Sequence, residues 1–542
     1  MKKIILLILL VFTYGVSSFG QNKFTEIEKL TTLGKIYGYL KYYHPEVGKG
    51  KINWDKELIK HIPKVIEATD KKTLSKVYND WIDSLGNIKE CKECNSNEPT
   101  FDKNFNLSWS QNSYFFNKKL IRKLKHIEKN RIQEGFFYVN TTPVGNIKVI
   151  NEPVYKNFEY PNEQYRLLGL FKYWNIIEYF YPYKYLTDQN WDSVLKEMIP
   201  KFQDVLNKEE YQYTIKELIA KLDDTHVQIG FRNGRTKYLP VKISNIENEA
   251  VISGFYNDSL ASINNLKLGD IVVKVNDIDI KKETDKKSKY IAGSNINIKI
   301  RNTYRKIING IDSTTSLTIK RNNQIKKIKV RRYKFKDFKY YNNPLDIKSK
   351  SISDKIGYVN MKKVKSKDIS EIFKAFEKKK TIIIDLRNYP AFIYRSFSNY
   401  LNSKKRYFTK IYSPNLKYPG KFIYTKNLQT GTKNKNAFKG KTILLVNDES
   451  LSRSEFTAMA FQTADNVITV GNQTAGADGT VSVFEYIGGF RTSISGNGIL
   501  YPNGSETQRK GVKIDIVIKP TINGLRHGRD EVLEKAIELA SK

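Results

Sequence analysis

Apolar side chains recur every three to four positions along residues 33–45 (LGKIYGYLKYYHP) and again along residues 170–182 (LFKYWNIIEYFYP). That is the period of a helix with a buried face. The two stretches are copies of one another. The offset from Leu33 to Leu170 also carries Asn53-Trp54-Asp55 onto Asn190-Trp191-Asp192, and Ile62-Pro63-Lys64 onto Ile199-Pro200-Lys201. It carries Ile82 and Leu85 onto Ile219 and Leu222. Residues 21–231 therefore read as a duplicated helical module, in which the shared Trp and Pro fix packing and a helix start. The copies part at their ends: Leu85-Gly86-Asn87-Ile88-Lys89 in the first, Leu222-Asp223-Asp224-Thr225-His226 in the second. Lys89 stands where the second copy has His226, so the scaffold folds without that histidine. Between the copies, residues 135–139 and 146–150 are strand-like.

From residue 235 to about 335 the period changes to two. Residues 247–255 (ENEAVISGF) and 269–280 (GDIVVKVNDIDI) alternate as strands, with a tight turn at residues 266–270 (LKLGD). Residues 315–332 read as a hairpin with Asn322-Asn323 at its turn. Residues 290–313 read as a long polar insertion, expected to be a mobile loop. From residue 340 on, buried strands alternate with amphipathic helices: IGYVNM at 356–361, a helix over 366–378, TIIIDL at 381–386, TILLV at 442–446, a helix over 455–463 and VITV at 467–470. Such alternation predicts a largely parallel sheet, with any active site at the carboxyl ends of its strands. A capped, acidic-first-turn helix closes the chain at 528–539.

The amino terminus changes the picture of where the protein works. Lys2 and Lys3, an apolar run over residues 4–12 and small residues up to Gly20 form a secretory signal pattern, with cleavage expected near Gly20-Gln21. The apolar run is too short to span a bilayer, and no later stretch is long enough. Export to the periplasm or the extracellular space is expected. The two cysteines, Cys91 and Cys94, are then read as a local disulfide; a metal site would need two further ligands. The formal net charge of +37 comes from scattered lysines. It is read as a solvated basic surface rather than a nucleic-acid footprint, and attraction to acidic polymers or substrates stays open.

Candidate chemistry centres on residues 444–480, LLVNDESLSRSEFTAMAFQTADNVITVGNQTAGADGT. A strand, a serine-dense turn and a helix lift a hydroxyl to the top of a sheet and aim backbone N–H groups at one point. The same residues also make a helix N-cap, and the stretch alone leaves both readings open. It resembles the nucleophile segment of the carboxyl-terminal processing (tail-specific) peptidases and their tricorn-core relatives: an apolar strand, Ser-x-Ser-x-small-Glu, a helix, and a second strand ending in Gly-x-x-Thr-x-Gly. The resemblance implies that Ser452 is the nucleophile, flanked by Ser450 and Ser454. It implies a multidomain α/β chain: the helical repeat region, a PDZ-like β domain binding peptide ends by strand addition, and a ClpP/crotonase-like catalytic domain over residues 340–542.

Two departures from the pattern bear on mechanism. Tail-specific members carry a lysine 25 residues past the nucleophile; that position is Ala477, and residues 471–479 contain no lysine. The Leu-x-Asp-x-His segment of the tricorn-type members is present instead, and implies that His226 is the general base. Their acid, just before a Gly-Val-x-Pro-Asp segment, maps onto Glu506, since residues 511–515 read GVKID. The family's Asp-Leu-Arg-x-Asn-x-Gly-Gly turn appears as residues 385–392, DLRNYPAF, with Ala391 and Phe392 for the glycines. A backbone N–H survives such a change, so the N–H groups of Ala391 and Arg453 are the expected oxyanion donors. The expected function is an exported serine peptidase acting on peptides or proteins through Ser452, His226 and Glu506, with no metal or organic cofactor implied. The other reading is a catalytically weakened peptide-binding protein on the same scaffold. Which residues bind the peptide is not readable.

Overall fold

A computed structural model describes residues 24–94, 98–231, 236–338, 347–425 and 427–542; the signal pattern lies outside them. The chain forms two compact units, one from residues up to 94 together with 106–133, the other from 95–105 together with 134–542.

The first unit is built on the helices Glu26–Tyr43, Trp54–Glu67, Lys71–Asp83 and Lys118–Lys129. In the second unit, Glu163–Phe180, Trp191–Gln203 and Lys208–Ala220 repeat the first three. The caps repeat with them: Thr25, Asn53 and Asp70 in one copy, Asn162, Asn190 and Asn207 in the other, each side chain accepting from the first turn of its helix. Trp54 Nε1 donates to the Tyr37 carbonyl at 2.9 Å, and Trp191 Nε1 to the Trp174 carbonyl at 3.0 Å. A buried indole N–H needs an acceptor, and both copies solve that need identically. Pro45 opens the short helix Pro45–Gly48. Pro63 and Pro200 do not start helices as expected but lie inside them; the Asn caps do the starting. Cys91 and Cys94 are paired. The turn ending each copy takes a positive φ at the same place, Gly86 at 88° and Asp223 at 48°. The second copy therefore holds a non-glycine residue in a conformation that favours glycine, two residues before Thr225.

From that turn the chain enters the strand Gln228–Gly230, antiparallel to Phe490–Ser495, which pairs in turn with Val481–Tyr486. The register sets Gln228 opposite Ser493. A separate antiparallel sheet runs in the order Gln324–Arg331, Thr314–Arg321, Ile271–Val275, Glu249–Phe255, Val241–Ile246. Its hairpin turns at Asn322 and Asn323, both at positive φ. The expected mobile loop is instead largely helical: Ile296–Ile308, capped by Asn295, buries Ile298, Arg301, Tyr304, Ile307 and Ile308. Lysines and asparagines on its outer face hid the period.

The sheet that positions the site runs Ser349–Ser353, Ile356–Asn360, Thr381–Asp385, Lys441–Val446, Val467–Gly471, Ile516–Val517. All its pairings are parallel except the first. Strand side chains alternate between two cores. Ile382, Ile384, Leu444 and Val446 face the helices Tyr394–Leu401 and Arg453–Phe461. Ile383, Ile443 and Leu445 face the terminal helix Glu531–Ser541 through Val532 and Ala536. Asp385 and Val446 therefore deliver two loops to one edge of the sheet.

Candidate active site

Ser452 stands at the amino end of the helix Arg453–Phe461 with φ 54° and ψ −110°. A β-carbon-bearing residue rarely adopts that conformation, and where it persists the surroundings enforce it. Here the enforcing contacts are visible. Ser450 and Ser454 each donate a hydroxyl to the Leu386 carbonyl, at 2.8 and 2.5 Å, stitching the turn to the loop after Asp385. Glu455 is fully buried, and its carboxylate accepts from the Ser452 N–H, the Thr474 hydroxyl and the N–H groups of Gly476 and Ala477. Burial raises its pKa while those four donors pull it back. The flanking serines and the glutamate are thus consumed by structure.

His226 is buried. Its backbone N–H donates to Asp224 Oδ1 at 3.0 Å, and its carbonyl accepts from the Ser493 hydroxyl at 2.7 Å. Nδ1 lies 2.9 Å from Ser495 Oγ, while Ser495 N–H donates to Asp224 Oδ2 at 3.1 Å. One carboxylate thus grips both the histidine and the serine that holds its ring. Nε2 is buried without a hydrogen-bond partner. In the tautomer whose Nδ1–H donates to Ser495, Nε2 carries the lone pair. Burial lowers the imidazole pKa, and Asp224 opposes the shift. The two turns meet at Ala475. Its N–H donates to the Ser450 carbonyl at 3.0 Å, and its carbonyl takes the Thr225 hydroxyl at 3.4 Å. The nucleophile turn and the histidine turn are therefore brought to one residue, with no hydrogen bond between Ser452 and His226.

Glu506 is not at the histidine. Its Oε1 accepts from the Tyr185 hydroxyl at 2.5 Å and lies 3.6 Å from Lys103 Nζ. The ring nitrogen it was expected to hold is taken by Ser495. Glu506 makes no hydrogen bond to the imidazole; the groups that hold His226 in the structure are Ser495, at Nδ1, and Asp224, through the backbone. Asp224 was visible as part of the histidine segment and Glu455 as part of the serine pattern. Ser495 had no sequence signal, because strand register alone delivers it. Position 477, where a lysine would sit, is a buried alanine. The following Asp478 is buried with Oδ2 unpartnered, and burial, then Glu455, pushes its pKa far up.

The N–H groups of Ala391 and Arg453 donate to no protein acceptor among the described residues. The Arg453 guanidinium reaches back to the Pro390 carbonyl at 3.4 Å and lies 5.0 Å from the Tyr389 ring centroid and 5.7 Å from that of Phe392. The side chain next to Ser452 thus packs on the loop that carries Ala391. Asp385 anchors that loop by accepting from Arg387 and Tyr358, and Arg387 also pairs with Asp530.

Residues 355–518 match the model of peptidase family S41. No curated protein matches the chain in sequence. Among solved structures, mature CPAF complexed with lactacystin is similar at 12% identity, over 70% of this chain and 98% of that one, with a TM-score of 0.56. A second structure of mature CPAF gives 12%, 70%, 96% and 0.55. The photosystem II D1 C-terminal processing protease gives 14%, 67%, 97% and 0.42. The CPAF structures share the fold.

Proposed function

The chain is a serine-type peptidase of family S41 through its residues 355–518, and from that premise we propose that Ser452 and His226 together cleave peptide bonds. Ser452 Oγ attacks the scissile carbonyl while His226 Nε2 takes its proton. The carbonyl oxygen, now negative, accepts from the N–H groups of Arg453 and Ala391. His226 returns the proton to the leaving amine. Water, deprotonated by the same nitrogen, then releases the acid from the acyl-enzyme. Asp224, through the backbone N–H groups of His226 and Ser495, and Ser495, at Nδ1, hold the ring in place. The observation that carries the reading is the imidazole itself: one nitrogen held, the other buried and unpartnered.

The sheet of residues 241–331 serves in this reading as a PDZ-like capture domain for peptide ends. The signal pattern and the paired cysteines support action outside the cytoplasm. A second reading, a peptide binder with weakened turnover, is favoured by two features: Ala391-Phe392 in place of a glycine pair, and the missing Ser452–His226 hydrogen bond. Apo catalytic pairs often tighten only with substrate bound. Hydrolysis of a peptide library by the purified protein, lost in Ser452→Ala, supports the peptidase. Tight peptide binding without hydrolysis supports the binder.

A further inference from the structure

We infer that Arg453, framed by Tyr389 and Phe392, recognises a carboxylate on the substrate within about two residues of the scissile bond. This rests on Ser452 being the nucleophile. The observation is one of charge accounting around the nucleophile turn. Asp448 and Glu449 are bound by Arg301 and Arg305, and Asp385 and Asp530 by Arg387. Arg301, Arg305 and Arg387 are thus each matched by a carboxylate, while the buried Glu455 is held by N–H and hydroxyl donors instead. Arg453 is the exception: it has no carboxylate partner among the described residues, and its one protein acceptor is a carbonyl at 3.4 Å. It is nonetheless held in place. Two aromatic rings lie within cation–π range of it, and its only protein acceptor among the described residues is the Pro390 carbonyl.

Tyr389 and Phe392 are 52% and 66% exposed, so this frame faces solvent beside the site rather than the core. The position is fixed by the chain. Arg453 follows the nucleophile directly, and Tyr389 and Phe392 bracket Ala391, the other oxyanion donor. A carbonyl seated between those two N–H groups puts its neighbouring residues within reach of a long side chain. A planar fork of donors suits a carboxylate bidentately. The same chemistry can come from an Asp or Glu side chain or from a free chain terminus. The basic balance of the chain, 93 Lys and Arg against 56 Asp and Glu, adds long-range attraction for either.

The test uses the full mature chain and peptides built around a bond it cleaves. Pairs differ only by Asp against Asn at each position within two residues of that bond, with both ends blocked. A second set compares a free with an amidated carboxyl terminus. The expected result is a kcat/KM ratio of roughly 10 or more for acid over amide in one set, which also names the source of the carboxylate. The ratio should persist in part in Arg453→Lys and fall to about 1 in Arg453→Gln. In Arg453→Glu the preference should turn toward a lysine-bearing peptide. Ratios are taken within each variant, so a general loss of activity does not enter them. A ratio near 1 in the unmodified protein, in both sets, overturns the inference while leaving the peptidase standing. If nothing is cleaved, the peptidase reading falls, and binding of the same pairs to Ser452→Ala by fluorescence anisotropy decides the recognition alone. Acid-selective binding that is absent in the Ser452→Ala, Arg453→Glu double variant supports it, and equal binding of acid and amide overturns it.

Discussion

At the residue scale the site depends on which groups are already committed. Ser450, Ser454 and Glu455 are spent on holding Ser452, and Asp224 and Ser495 on holding His226. Ser495→Ala removes the partner of Nδ1 and frees the ring to turn. It should lower kcat by about a hundredfold, the scale of a small misplacement, with little change in KM. Glu506→Gln should leave kcat nearly unchanged, because Glu506 bonds Tyr185 and not the histidine; a loss matching Ser495→Ala would reinstate it. The turns that carry Ser452 and His226 were legible from local motif, because a strand–turn–helix and an Asp-rich turn are local. The partner of the imidazole was not legible, since two strands must pair before Ser495 meets His226, and spacing along the chain says nothing of that.

At the element scale the duplication is the clearest lesson. The offset between the copies predicts a shared packing role for the two tryptophans; the structure gives both the same indole bond, and Trp54→Phe and Trp191→Phe should therefore behave alike. Each removes one buried hydrogen bond to a carbonyl that keeps its helical partner, and should cost about 0.5–1.5 kcal/mol, seen as a lowered denaturation midpoint. A large loss for one and none for the other would mean the copies bear load differently. The helix Ile296–Ile308 was missed because arginine at a buried position looks polar. Arg301 is buried, but it is paired with Asp448 and Glu449, so it sits on the inner face where an apolar residue was sought. Glu455→Ala would release four donors at once. It should abolish turnover together with the ordered nucleophile turn, with the loop at 474–477 exchanging its amide hydrogens faster.

At the scale of the whole molecule, pH ties folding to function. His44 and His226 are buried, with pKa values lowered by desolvation, that of His44 to about 4; His61 is lowered too. A folded-state pKa below the unfolded value means stability is full above about 6.5 and is lost as pH falls through the folded value. Thermal midpoints should therefore decline on acidification from pH 6.5, with His44 alone contributing about 3 kcal/mol by pH 4; the decline should be smaller in a His44→Gln variant. The Cys91–Cys94 disulfide closes only a very short loop, so little chain entropy is at stake in reducing it, and activity should survive reductant. The parallel sheet, the small β sheet and the cysteine pair were legible as periods and spacings.

The most direct test of the catalytic pair is the rate at which a fluorophosphonate labels the protein as a function of pH. The expected profile rises with pH through an apparent pKa below 6.5, since the buried imidazole must be neutral to act. Labelling should be absent in Ser452→Ala and slowed roughly a thousandfold in His226→Ala. Labelling of His226→Ala at the unmodified rate, or a rising limb well above neutrality, would contradict the assignment of His226 as the base of Ser452.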